Sequence, residues 1–285
     1  MNTTQGPVGS FFVALWLMAG CATTSVDSAD PVVPAPDAAP PGTVAFVLSA
    51  QSQQTLANGK TRATGFFLGE FYEPYQAVRA AGYRVVVATP GGVPPVVDPE
   101  SVDPKYWGDH PEWLTDAQTL VASDAFADSI VSLQEVRTRA EDFQGVVVPG
   151  GQGVMGDLID NGDLHETIVS LGASGRAVGL VCHAPAILTK LPREANPFAG
   201  RTVTSVSGFE EFYIERFVMK GRATNRGIGR QLQSLGYRHR TAGPGKGFAA
   251  RDCNLATSQN PFSGPMFNDA LLAALDVARA GGQCG

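Results

Sequence analysis

Short apolar runs alternate with segments of helical periodicity, and glycine turns close several of the runs. Together these predict a three-layer α/β sandwich around a mainly parallel central sheet. Three runs stand out: YRVVVATP from Tyr83, GVVVPGG from Gly145, and AVGLV over Ala177–Val181. They are apolar throughout instead of alternating, as strands are when a parallel sheet buries both of their faces. In such a sheet, reactive groups gather at the carboxyl edge, where strands run out into loops.

TVAFVLSA (Thr43–Ala50) reads as the first strand, and the polar QSQQTLANGKTRA after it as a loop on the sheet's carboxyl side. TGFFLGEFYEPYQAVRAAG then holds a helix that ends at Gly82, as helices often do. YRVVVATP is the second strand, and GGVPPVVDPESVDPKYW a loop whose Asp98, Pro99 and Ser101 have turn chemistry. A helix from Thr115 and another around Ser132 follow, with His110 and Trp113 in a loop. GVVVPGG is the third strand and its turn, and Asp163 to Leu171 a helix with an apolar face. AVGLV leads into HAPAILTK, which reads as the first turns of a helix. Gly200 to Ser207 (GRTVTSVS) is a further strand. RGIGRQLQSLGYRHR gives a surface helix and a strand, and the chain closes with a strand, a loop and an amphipathic helix over CNLATSQNPFSGPMFNDALLAALDVARA.

Cys182 sits at the strand-to-helix elbow between AVGLV and HAPAILTK. Such an elbow strains the backbone, points its side chain out of the sheet's carboxyl edge, and surrounds it with helix N-terminal N–H groups that favour thiolate. Most free cysteines are small core residues. The adjacent His183 and the glycine turn upstream shift the reading to a reactive thiol. Backbone N–H groups of Gly151 and Gln152 would face the same point and hold an oxyanion. Glu70 lies among Phe66, Phe67, Phe71 and Tyr72, where desolvation would raise its pKa, although from the residues alone it reads as a solvated helix carboxylate. Glu210 and Glu211, likewise, read as helix N-terminal charges. The four histidines, His110, His165, His183 and His239, show no metal-ligand spacing, so no metal is expected.

PGGQGVMGDL followed by LVCHAPAIL resembles the ThiJ/PfpI superfamily, the class I glutamine-amidotransferase-like, flavodoxin-like fold. TGFFLGEFYEPYQAVRAAGYRVVVATPGG (Thr64–Gly92), DPES, and LATSQNPFS are similar to the branch containing stress chaperones with glyoxalase III activity. The resemblance covers roughly Thr43 to Ala280. It implies Cys182 as nucleophile, Glu70 as the carboxyl beside it, and His183 oriented by an acidic residue after the Gly200–Ser207 strand. By spacing that residue is Glu211, with Glu210 its neighbour. Gln152 departs from the branch, which often has His after PGG, and Ala184 stands where Gly is common.

With 285 residues, 44% of them hydrophobic and 17% charged, the chain can bury one large core. A net charge of −6 and the lack of a basic run argue against nucleic acid as partner. Residues 10–20, SFFVALWLMAG, form an apolar stretch too short to span a bilayer, ending in small residues before Cys21. This resembles a bacterial lipoprotein signal, with Met18 and an n-region free of Lys and Arg as departures. Residues 1–20 are thus expected to be a signal peptide, 21–42 a Pro/Ala-rich linker suited to an extended tether, and 43–285 the catalytic domain. Cys21 would be lipidated and the protein held at the bacterial cell envelope, on the periplasmic side or outer membrane. Cys253 and Cys284 remain, as a disulfide if the chain is exported or as two free thiols.

The resemblance implies a cofactor-independent, glyoxalase III-like lyase acting on small reactive carbonyls such as methylglyoxal. The alternatives are a chaperone or redox-sensing protein in which Cys182 is oxidised, and a PfpI-type peptidase or amidase. The partners expected are a small-molecule carbonyl substrate and the membrane, with a homodimer left open.

Overall fold

β1 (Thr43–Val47) is buried along its whole length and pairs in parallel on both sides, so it lies deep in the sheet. The computed structural model describes residues 40–108 and 110–283. The signal segment, Cys21, nearly all of the linker, and Cys284 fall outside those residues. After β1 the chain forms an antiparallel hairpin, β2 (Gln53–Thr55) with β3 (Thr61–Ala63), where the sequence predicts a loop. Only Gln54 of β2 is buried, so the apolar alternation that marks a half-buried strand is missing.

α1 (Leu68–Ala80) and β4 (Arg84–Thr89) come next, as expected. α2 (Pro111–Ala122) begins at Pro111 instead of Thr115, since proline fits a first helical turn whose N–H groups lack partners in any case. His110 stacks on Trp113, with ring centroids 4.3 Å apart. The short α3 (Asp124–Asp128) and the edge strand β5 (Ile130–Ser132) have no counterpart in the sequence reading. Ser132 caps α4 (Leu133–Thr138), its Oγ accepting from the N–H of Glu135 at 3.1 Å. Next come β6 (Phe143–Val148), α5 (Val154–Asp157), α6 (Gly162–Ala173) and β7 (Ala177–Val181). The predicted helix after β7 is a 3-10 helix over Ala184–Thr189, with Pro185 in its first turn.

The Gly200–Ser207 strand shrinks to β8 (Thr202–Val203), outside the main sheet. Its neighbouring N–H groups are claimed elsewhere: Thr202 donates to the Asp252 carboxylate, Thr204 to the Thr257 hydroxyl, and Val206 to the Cys182 carbonyl. α7 (Gly208–Tyr213) runs into a π-helical turn, Ile214–Val218. α8 (Ile228–Ser234), β9 (Arg238–His239, paired with β8), β10 (Ala249–Asp252), β11 (Leu255–Ser258) and α9 (Gly264–Arg279) complete the chain.

The main sheet has the order β10-β11-β7-β6-β1-β4-β5, parallel except for the antiparallel β10–β11 edge. α1 and α9 pack together over one face, and α4 and α6 pack together over the other, giving the three layers. This is the flavodoxin-like arrangement expected from the alternating runs. Cys182 is the free cysteine among the described residues, and Cys253 is disulfide-bonded. Among those residues no helix is long and apolar enough to cross a membrane.

Phe46 links the central strand to α1: fully buried, it meets Phe71 edge-on at 5.7 Å and Tyr75 at 6.2 Å. Phe46→Ala is expected to lower unfolding stability by about 3–5 kcal/mol, the usual cost of such a truncation. Urea denaturation of the purified domain reads it, and a loss below about 1 kcal/mol would contradict this packing.

Candidate active site

Cys182 leaves β7 with φ of 59°, left-handed backbone that a residue with a side chain adopts only when its surroundings enforce it. Here both of its peptide groups are pinned: its N–H donates to the Ser258 carbonyl, and its carbonyl accepts from the Val206 N–H, each at 2.9 Å. The sharp turn lifts Sγ from the carboxyl edge of a central parallel strand, as the elbow reading anticipated.

Two further turns close around it. The N–H of Phe67 donates to the Gly150 carbonyl at 3.0 Å, and the N–H of Gly153 to the Gly65 carbonyl at 3.1 Å, so the PGG turn and the start of α1 interlock. Gly150 has to be glycine: a methyl group there would lie 2.5 Å from Glu70 Oε2 and 2.6 Å from Cys182 Cβ. Gly151, at φ of 100°, is equally confined, because a Cβ would stand 2.5 Å from the Gly65 carbonyl oxygen. The interlock carries Glu70, in the first turn of α1, to the nucleophile. Its Oε2 accepts from the Gly150 N–H at 3.1 Å, and Oε1 is buried without a hydrogen-bond partner among the described residues. Sequence reasoning thus placed Cys182, Glu70 and Gly151 together, and the fold brings them together.

The electrostatics of the site stem from burial. Glu70 and Cys182 are each 5% exposed and His183 is 4% exposed. Desolvation pushes the Glu70 carboxyl up to about 8, more than the neighbouring Cys182 side chain and the Gly150 N–H pull it down. Burial also pushes the Cys182 thiol up, and a charge on Glu70 would push it further, while the nearby Gly151 N–H acts the other way. The sequence expectation of a helix N-terminus that lowers this thiol is therefore corrected. Cys182 leads into a short 3-10 helix only, and desolvation dominates. The pocket favours one negative charge shared between Glu70 and Cys182, not two.

His183 Nδ1 lies 3.1 Å from Cys182 Sγ. Its other nitrogen does not meet Glu211. Glu211 accepts from the N–H of Gly227 at 2.9 Å and caps the start of α8, where its charge faces the helix dipole. Glu210, the alternative, lines the pocket and accepts from the Ser207 N–H and the side chains of Gln259 and Asn260. Its charge raises both the His183 and the Cys182 pKa, yet it makes no hydrogen bond to His183. The side chain at His183 Nε2 is Gln152, 2.9 Å away, and Gln152 is held in turn by Gln54 at 3.0 Å. Sequence reasoning assigned Gln152 only a backbone role. Among the described residues no backbone carbonyl takes its N–H, which leaves it free for an oxyanion. Gln54 carried no signal, because it lies in the polar stretch expected to be a loop.

Cys182 and His183 form the floor of a cavity of about 420 Å³. Phe67, Tyr106, Phe209, Tyr213 and Phe262 are among its walls, together with the charged Glu100, Lys105 and Glu210, and Phe209, Tyr213 and Phe262 are half-exposed. Arg62 and Asp98 pair across one side at 3.7 Å. Asp98 also accepts from the Glu100 N–H, and the Ser101 hydroxyl donates to its carbonyl, so the DPES stretch is the structural turn expected. Among the described residues no three His, Cys, Asp or Glu side chains are grouped to ligate a metal.

A profile of the DJ-1/PfpI family matches residues 62–274. Glyoxalase 3 of Candida albicans is 22% identical over 246 residues, spanning 82% of this chain and 98% of its own. A glutathione-independent glyoxalase of Schizosaccharomyces pombe is 24% identical over 227 residues, 74% of this chain and 89% of its own. The crystal structure of glyoxalase III from Candida albicans superposes with a TM-score of 0.67 at 22% identity, covering 82% of this chain and 97% of that one.

A buried pair that resists charge loses its first proton late. Alkylation of Cys182 by iodoacetamide is expected to be slow at neutral pH and to keep accelerating into the alkaline range, because burial and the Glu70 charge both push the thiol up. A rate already at its plateau near pH ~6 would mean a preformed thiolate and overturn this electrostatic picture.

Proposed function

The chain belongs to the DJ-1/PfpI family, and on that premise we propose that it is a glyoxalase III-like lyase converting a 2-oxoaldehyde, such as methylglyoxal, to a 2-hydroxy acid without cofactor. The observation that carries this reading is the convergence of Cys182 and Gly151 at the floor of one cavity, with the Glu70 carboxyl buried beside the sulfur outside the cavity lining and pushed up to about 8. The relatives named as glyoxalases support it.

In the singly ionised pair the Glu70 carboxylate takes the Cys182 thiol proton as the sulfur attacks. The sulfur adds to the aldehyde carbon, and the Glu70 proton passes to the oxygen, giving a hemithioacetal and a Glu70 carboxylate. The N–H groups of Gly151 and Gln152 hold the oxygen as its charge develops. Glu70 then takes the hydrogen from the former aldehyde carbon and returns it to the neighbouring carbon, while a proton moves between the two oxygens. The product on the enzyme is a thioester. Water cleaves it, releasing the acid and restoring the thiol, so the net change is addition of one water.

A peptidase would need an open cleft for an extended chain, whereas aromatic side chains wall this cavity. A redox sensor works through an exposed, low-pKa thiol, and Cys182 is buried with its thiol raised. Both considerations favour the lyase.

Purified domain is expected to form lactate from methylglyoxal without glutathione or metal, and Cys182→Ala to abolish it. Glu70→Gln should slow turnover by about 10² or more while leaving Cys182 open to alkylation, the usual scale for losing a positioned acid or base. Aggregation suppression of an unfolding client that persists in Cys182→Ala, with no 2-oxoaldehyde consumed, would favour the chaperone instead. Export through the N-terminal signal and lipid attachment at Cys21 form a further part of the proposal, resting on the sequence alone. Membrane fractionation should find the wild-type chain with membranes and Cys21→Ala released. A wild-type chain found wholly in the cytosol would refute it.

A further inference from the structure

The hydrogen bonds around His183 fix which of its nitrogens carries the proton. Gln54 Nε2 donates to Gln152 Oε1 at 3.0 Å, which commits that amide's oxygen and turns its nitrogen toward the imidazole. Gln152 Nε2 then stands 2.9 Å from His183 Nε2. A carboxamide nitrogen only donates, so His183 Nε2 has to be the bare nitrogen and Nδ1 the protonated one. Nδ1 is the nitrogen that faces Cys182 Sγ, at 3.1 Å. All three side chains of the Gln54–Gln152–His183 ladder are buried.

We propose that Gln152, held by Gln54, is a positioning residue that keeps His183 neutral, with Nδ1–H donating to the Cys182 sulfur. The histidine then cannot serve as the base that removes the thiol proton. An imidazolium would set Nε2–H against the amide N–H, donor against donor in a buried site, and burial by itself already holds the His183 pKa down to about 4. The charges that bear on His183 are Glu210 on α7 and Arg62 on β3, which act in opposite directions. Those that bear on Cys182 are Glu70 on α1 and Glu210. His183 and Gly151 therefore stabilise the thiolate once it forms, and the proton exchanges on the Glu70 side of the sulfur. A carboxylate orienter, the role the sequence assigned to Glu211, would give the opposite tautomer and a thiolate–imidazolium pair.

This inference rests on Cys182 being the nucleophile, but its test does not use turnover. Nitrogen-15 NMR of the wild-type domain should show His183 neutral near pH ~7, with Nδ1 protonated and Nε2 bare. Gln152→Glu is the second arm. Its carboxylate would accept from Nε2–H, with Gln54 still donating to the other oxygen, and leave the Nδ1 lone pair facing the thiol. Iodoacetamide alkylation of Cys182 at neutral pH should then rise by about tenfold or more, the gain in thiolate per unit fall in thiol pKa, and its pH midpoint should move down. Wild-type spectra showing Nε2 protonated, or an imidazolium near pH ~7, would overturn the proposal whether or not the variant folds. A folded Gln152→Glu protein with an unchanged alkylation profile would overturn it as well. If both arms behave as expected and no 2-oxoaldehyde is consumed, the ladder stands and the lyase reading falls.

Discussion

The close approach of Glu70 to Cys182 across Gly150 is the contact around which this molecule is arranged. A carboxyl from the first turn of α1 and a thiol from the end of β7 meet where the loop after β6 passes between them without a side chain. Each of the three elements is anchored from behind: α1 through Phe71 on Phe46 of β1, Cys182 through Ser258 and Val206, and the glycine loop through Gly65 and Phe67. No single bond among these is large. Their effect lies in leaving the carboxyl no alternative position, so the left-handed turn at Cys182 is enforced by the fold and is not a local preference.

Burial gives that contact its chemistry. In water a carboxyl and a thiol would titrate far apart, near ~4 and ~8.5. Here both resist ionisation, and the pair is set to carry one charge that moves between oxygen and sulfur. A group that must donate a proton at one step and accept it at the next is best placed when its pKa lies near the working pH. Burial of both groups maintains this state by keeping solvent off the charge. Phe209, Tyr213 and Phe262 stay half-exposed around the cavity that Cys182 lines.

Around this centre, most polar side chains serve structure. Glu211 caps α8, Glu210 ties the start of α7 to Gln259 and Asn260, and Asp98 forms a turn. Two glutamines, Gln54 and Gln152, hold the histidine instead of a carboxylate. An amide in that place gives up the means of charging His183 and keeps a hydrogen bond on the sulfur. Relatives that share the fold at 22% identity need not share this arrangement, because one scaffold supports different settings of the same site.

The sequence by itself determined the layers, the central strands, the elbow at Cys182 and the glycine turn facing it. These are written in continuous apolar runs and in positions where only glycine fits, both of which are local. Glu70 was legible through resemblance, since its aromatic neighbours and its raised pKa depend on a burial that one segment does not encode. The tertiary structure decided the rest. Whether Glu211 or Gln152 reaches His183 depends on where the hairpin carrying Gln54 lands, and that hairpin has no apolar alternation to announce it. Whether the elbow lowers or raises the thiol depends on the balance between one N–H donor and complete desolvation, a sum over residues from distant parts of the chain. Hydrogen-bond partners and dielectric are properties of an assembled pocket, so they appear only once the chain has closed around it.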